Sequence, residues 1–245
     1  MTHVSPNTNS MPRNVMRSAA AALLTFSALS FSLATFGQAE TAVMVPPATQ
    51  LETVDPSVKL ETVVLAGGCF WGVQDVFQHL NGVKSAISGY AGGNADTAEY
   101  ETVSTGTTGH AESVQITFDP NVINYATILQ IYFSVAHNPT ELNRQGPDSG
   151  TQYRSEIFAQ SDAQKQVAEA YINQLSKSAV FKAPIVTKIE MAKTFYPAEG
   201  YHQDYATLHP DQGYIAFNDL PKVENLKSLF PKLYREKPVL VGSTG

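Results

Sequence analysis

The chain has 245 residues, 43% hydrophobic and 16% charged, enough for one generous domain or two small ones. Its formal net charge is −6 and it shows no cluster of Lys or Arg, which argues against nucleic acid or an anionic membrane as a partner. With one cysteine in all, no internal disulfide staples the fold.

Residues 1–39 read as a leader. Arg13 and Arg17 precede an uncharged run, Ala19–Phe36, and Gly37-Gln38-Ala39 offers small residues at an exit. That is the layout of a secretory signal peptide, with Met1 or Met11 as its start. A membrane anchor is the alternative, weakened by the five Ser and Thr in the run. The two arginines are the only Lys, Arg, Asp or Glu in this leader, so the remainder carries a net charge near −8. Residues 40–60, rich in Pro, Thr, Val and Glu, read as an extended linker or arm. Residues 61–245 form one domain.

Within it, Glu61–Ala66 is a β-prone run that stops at a glycine pair. Val73, Val76, Phe77 and Leu80 recur at helical spacing and predict a helix from about Phe70 to Leu80. Val83–Gly93 predicts a strand, residues 94–111 a long loop, and the alternating Ser113–Phe118 a third strand. A broad apolar stripe predicts a helix over Tyr125–Ala136. Arg154–Gln160 reads as a strand, followed by a helix capped by Ser161 and running to about Ser178. A strand at Ile185–Met191 and a short helix near Ala198–Leu208 follow. The last thirty residues are expected to be irregular. This order of elements points to an α+β domain, a sheet with helices packed over it.

The only cysteine and only tryptophan sit two positions apart in Gly67-Gly68-Cys69-Phe70-Trp71-Gly72. Cys69 falls where a strand ends and a helix begins, so unpaired N–H groups and the helix dipole should favour a thiolate. Gly67 and Gly68 should clear side chains from beside the sulfur. Phe70 and Trp71 place two apolar rings next to it. A buried core cysteine is the bland alternative, and it suits a glycine-flanked corner poorly. The histidines at 79, 110, 137, 202 and 209 show no pair at metal-binding spacing, so no metal is expected.

The segments Gly67–Gly72, Gly89-Tyr-Ala-Gly-Gly93, Gly109-His-Ala-Glu112, Asp148–Ser155 and Phe195–Tyr205 occur in an order and spacing that resembles peptide methionine sulfoxide reductases of the A class. The resemblance covers about residues 61–210. It implies an α+β two-layer sandwich with a ferredoxin-like split βαβ core and an irregular C-terminal segment. It implies Cys69 as nucleophile, and Phe70 and Trp71 as the walls that hold the substrate methyl. Glu112 is then the carboxyl group that protonates the sulfoxide oxygen, Tyr100 and Tyr153 the phenols that hydrogen-bond it, and Asp148 a group that orders the site. The chemistry asks for these parts: a sulfoxide sulfur grows more electrophilic as its oxygen takes a proton, and Glu112 donates one only if burial raises its pKa. Attack leaves methionine and a sulfenic acid on Cys69.

Many members of that family resolve the sulfenic acid with a second cysteine. This chain has none, and Ser104 stands where some relatives have one. No cofactor is implied; an external thiol such as thioredoxin, glutaredoxin or dithiothreitol must close the cycle, with the protein acting as a monomer. Two other readings stay open on residues alone: a cysteine hydrolase or acyltransferase with His110 or His202 as base, and a non-catalytic methionine-peptide binding module.

Overall fold

The computed structural model describes residues 41–53 and 55–243. The expected leader lies outside them. Among the described residues no helix is long and apolar enough to cross a membrane.

In chain order the elements are strand β1 Glu61–Gly67, helix α1 Phe70–Gln78, strand β2 Val83–Ala91, the short helix α2 Tyr100–Val103 and strand β3 Ala111–Phe118. Helix α3, Tyr125–Ile131, runs on into a wider π turn over Tyr132–Ala136. A two-residue hairpin follows, β4 Arg144–Gln145 and β5 Asp148–Ser149. Then come strand β6 Ser155–Ala159, helix α4 Asp162–Ser178, strand β7 Lys188–Met191 and strand β8 Phe195–Pro197. Helix α5 Tyr205–Leu208 follows, then a π turn over Ile215–Asp219 that runs on without a break into helix α6 Leu220–Leu229.

Six strands make one mixed sheet in the order β7-β6-β1-β3-β2-β8. The inner four, β6-β1-β3-β2, are all antiparallel, and two β-α-β passes bring the fourth strand beside the first. This is the split βαβ arrangement the family resemblance implies. β7 adds to one edge in parallel and β8 to the other antiparallel.

Alternation along the strands sorts the two faces. Val63, Leu65, Val114, Ile116, Phe118 and Ile157 belong to the main core under the helices. Their neighbours Val64, Ala66, Ala111 and Phe158 form a smaller cluster on the opposite face. Each large aliphatic or aromatic side chain so buried contributes about 1.5–3 kcal/mol. The helix ends follow their caps. Asn124 accepts from Thr127 N–H at 2.8 Å, and Ser161 from Gln164 N–H at 3.1 Å.

Residues 41–49 lie extended along this core. Val45 is fully buried, and its N–H donates to Ser134 Oγ at 3.2 Å. Tyr171 donates to Pro46 O at 2.6 Å.

The C-terminal segment departs from the expectation of irregularity, because Leu220–Leu229 is a helix. The signal was in the sequence: Pro221 in the first turn, then Val223, Leu226 and Phe230 recurring on one buried face. The loop expected over 94–111 likewise contains α2, and the helix expected over 198–208 is broken at Asp204, whose backbone is left-handed at φ 57°.

Candidate active site

β1 ends at Gly67, and Cys69 is the residue from which α1 starts. Two glycines make this corner possible by close packing. Gly68 has φ +89°, and a side chain there would meet Gln145 Cβ at 2.6 Å. A side chain on Gly72 would run into the carboxylate of Asp219. The expectation that Gly67 and Gly68 open space beside the sulfur is therefore corrected. Gln145 fills the space over Gly68, and His137 with Tyr132 closes over Gly67. The glycines let protein side chains brace the turn, and the approach to the sulfur lies elsewhere.

Alternation on β3 puts Glu112 on the same face as Val114, Ile116 and Phe118, beneath the start of α1. Its carboxyl Oε2 accepts the Phe70 N–H at 3.0 Å, one of the unpaired donors of the helix start. Glu112 is 2% exposed. Burial, helped by Asp148 and Asp219, pushes its pKa up to about 8 against the opposing Phe70 N–H. Glu112 is thus held as the protonated acid at neutral pH.

Cys69 departs from the thiolate expected at a helix start. Burial, then the carboxyl groups of Glu112 and Asp219 and more weakly Asp148, push its thiol well above the ordinary range. The Trp71 N–H pulls the other way and is outweighed. The helix end is real, but desolvation decides the resting charge.

One cavity of about 220 Å³ gathers Cys69, Phe70, Trp71, Tyr100, Glu112, Asp148 and Tyr153, together with Tyr214. All seven residues singled out from the sequence meet there. Trp71 is held on three sides: its Nε1–H donates to His202 Nδ1 at 3.2 Å, its ring stacks on Tyr205 at 4.1 Å, and Tyr214 meets its face edge-on at 6.0 Å. Tyr100 packs on His202 at 4.4 Å, and burial raises the pKa of its phenol. Burial raises that of Tyr153 as well, so both stay hydrogen-bond donors. Arg154 ties the wall together by donating to Gly109 O, His110 O and Thr151 O, each at 3.0 Å, while its Nε meets Glu156 at 2.6 Å. This clamps the turn before Glu112 to the turn that carries Tyr153.

Three groups here were not read from the sequence. Tyr214 donates to Asp148 and completes the cavity. Glu199 accepts the Tyr100 N–H at 2.9 Å and the Tyr90 hydroxyl at 2.8 Å, so it fixes the loop that presents Tyr100. Gln203, between Gln74 and Ser88, docks this segment on α1 and β2. Glu199 and Gln203 lie within the segment Phe195–Tyr205 singled out above, but only their place in space reveals what they hold, and the same is true of Tyr214 at the helical turn before Ile215.

His110 and His202 do not serve as bases to Cys69. His110 Nδ1 accepts from Gly93 N–H at 3.2 Å, and its Nε2 lies 2.9 Å from Asn94 O. His202 Nδ1 receives the Trp71 indole, and burial lowers its pKa.

The family model for peptide methionine sulfoxide reductase matches residues 61–233. A peptide methionine sulfoxide reductase MsrA 2 of Mesorhizobium japonicum is 68% identical over 181 residues, covering 74% of this chain and 93% of that protein. A peptide methionine sulfoxide reductase MsrA of Polynucleobacter asymbioticus is 50% identical over 174 residues, covering 71% and 91%. Among solved structures, reduced Mxr1 of Saccharomyces cerevisiae aligns with TM-score 0.58 at 38% identity, over 66% of this chain and 92% of that one. Methionine sulfoxide reductase A of Corynebacterium diphtheriae aligns with TM-score 0.53 at 29% identity, over 71% and 87%.

Proposed function

The chain belongs to the peptide methionine sulfoxide reductase family and reduces methionine sulfoxide to methionine, and from this premise we propose how its own residues carry the reaction. The substrate is the S epimer at sulfur, in proteins or free. Its methyl group lies against Phe70 and Trp71, and its oxygen points to Glu112, Tyr100 and Tyr153. The observation that carries this reading is a buried, protonated Glu112 sharing one cavity with the only thiol.

The resting pair is neutral on both sides, thiol and carboxylic acid. Glu112 gives its proton to the sulfoxide oxygen as the Cys69 sulfur bonds to the sulfoxide sulfur and loses its own proton. That proton replaces the one Glu112 gave. Collapse breaks the substrate S–O bond and leaves the oxygen, as hydroxyl, on Cys69. Sulfoxide plus thiol has become methionine plus sulfenic acid. Tyr100 and Tyr153 donate to the oxygen as charge develops on it, and such preorganised donors are worth about 10²–10³-fold each. Asp148, held by Tyr214, orders this wall.

With no second cysteine in the chain, two external thiols reduce the sulfenic acid, releasing water and a disulfide. A thioredoxin- or glutaredoxin-like protein supplies them in the cell, and dithiothreitol does so in the test tube. Residues 1–39 act as a signal peptide that exports the domain to the periplasm, where it repairs oxidised proteins.

Turnover of each enantiomer of methyl p-tolyl sulfoxide with dithiothreitol, followed by dimedone trapping without reductant, tests the reading. The S enantiomer should turn over, and one dimedone should mark Cys69 per chain. Turnover of the R enantiomer alone, or no label on Cys69, overturns it.

A further inference from the structure

A second and much smaller cavity of about 10 Å³ also reaches Cys69. Cys69, Asp148 and Tyr214 line both. Lys222 supplies the positive charge in the smaller one. The main cavity has none in its lining.

Asp219 ends the π turn Ile215–Asp219, which runs on without a break into α6, and Lys222 stands three residues later on the same helix. Asp219 is fully buried and Lys222 is 7% exposed. The Asp219 carboxylate turns toward the first turn of α1, into the space that Gly72 leaves by lacking a side chain. Among the described residues neither of its oxygens finds a hydrogen-bond donor, and Lys222 Nζ stands 3.6 Å from Oδ1. A buried carboxylate costs several kcal/mol unless a counter-charge offsets it, and here the counter-charge faces the nucleophile.

We propose that Asp219 and Lys222 form a charge-compensated brace beside Cys69, positioning residues that set how readily its thiol ionises. Asp219 seats against the start of the catalytic helix, and Lys222 keeps that negative charge from bearing unopposed on the sulfur. The other charged and titratable groups that face Cys69 are Glu112 from β3, Asp148 from β5, and the phenols of Tyr100, Tyr153 and Tyr214. Two of these groups are carboxyls, and Asp219 makes three, so the cation has leverage at this point. Burial raises the Asp219 pKa to about 6 while Lys222 pulls it down, which agrees with a carboxylate kept ionised at neutral pH by its partner.

The proposal rests on the reductase reading for its purpose, but its test does not use the reductase reaction. Alkylation of Cys69 by iodoacetamide is followed against pH in Asp219→Asn and in the double variant Asp219→Asn, Lys222→Met, with melting curves as a check on folding. Asp219→Asn removes one negative charge from beside Cys69 and keeps Lys222, so the apparent thiol pKa should fall and alkylation at pH 8 should rise about tenfold, as a one-unit shift dictates. In the double variant the gain should vanish, to within about threefold of the native rate. A gain that persists in the double variant means a loosened site, and an unchanged or slower rate in Asp219→Asn means no coupling. Either overturns the proposal. Should Asp219→Asn fail to fold, Lys222→Met alone at pH 9, where Asp219 is ionised, should slow alkylation; an equal or faster rate overturns it as well.

Discussion

Two regions build the site, and they contribute different things. The split βαβ half, β1 to β6, carries the reacting groups: Cys69 at the start of α1 and Glu112 on β3. The wrap that follows, residues 195–230, carries the groups that hold them: Glu199, His202, Tyr205, Tyr214 and Asp219. Glu112 and Glu199 show the difference in one residue type. Glu112 is buried under the helix and accepts the Phe70 N–H, and burial raises its pKa to about 8, so it is protonated at neutral pH. Burial pushes Glu199 up too, but hydrogen bonds from the Tyr100 backbone and the Tyr90 hydroxyl outweigh it and keep the carboxylate ionised. A reacting group needs a proton to give, and a clamp needs a charge to grip N–H and O–H donors.

The largest break in this comparison is Glu112→Gln. The amide oxygen still accepts the Phe70 N–H, so the fold should hold while the proton donor is lost. Turnover of methyl p-tolyl sulfoxide with dithiothreitol should fall about 10²–10⁴-fold. A rate within threefold of native removes Glu112 from proton transfer. The same group sets a pH dependence. Its pKa is raised in the folded state, so its stabilising contribution is complete below about pH 4.5, declines as pH rises, and is gone above about 8. The native melting temperature should therefore fall across that window, and Glu112→Gln should flatten the fall. An equal slope in both proteins contradicts a buried, protonated carboxyl.

A smaller effect tests how the two regions meet. Gly72→Ala forces a methyl group into Asp219, which joins α1 to the start of α6. Overpacking of this kind costs about 1–3 kcal/mol, readable as a lowered urea midpoint. Gly200→Ala is the control, because a methyl there meets nothing within 4 Å. Equal midpoints for the two variants would mean that the wrap yields freely around α1.

The reacting half was legible in the sequence because it is periodic. Val114, Ile116 and Phe118 alternate, which fixes the face of Glu112, and Val73, Val76 and Phe77 mark the buried side of α1. The charge on Cys69 was not legible. The unpaired helix donors follow from local sequence, but the desolvation and the carboxyls of Asp219 and Asp148 that outweigh them come from more than 75 residues away. The roles of Gly68 and Gly72 were hidden for the same reason, since Gln145 and Asp219 reach them only in three dimensions. Tyr214 lies on a helix turn that the sequence pattern does not predict, and Glu199 lies in a segment singled out from the sequence whose contacts form only in three dimensions.

Glu199→Gln sharpens the comparison with the smallest change. One oxygen remains to accept from either the Tyr100 N–H or the Tyr90 hydroxyl, and the new amide NH₂ faces the other donor. The loop that presents Tyr100 should loosen while Cys69 and Glu112 stay in place. A substrate oxygen less well held should raise KM about tenfold, the size of one lost hydrogen bond to a charged group. The alkaline limb of the pH profile, where the acid loses its proton, belongs to Glu112, so it should not move. A kcat loss as deep as that of Glu112→Gln, with a shifted pH limb, would place Glu199 among the reacting groups and dissolve the division between the half that reacts and the half that holds.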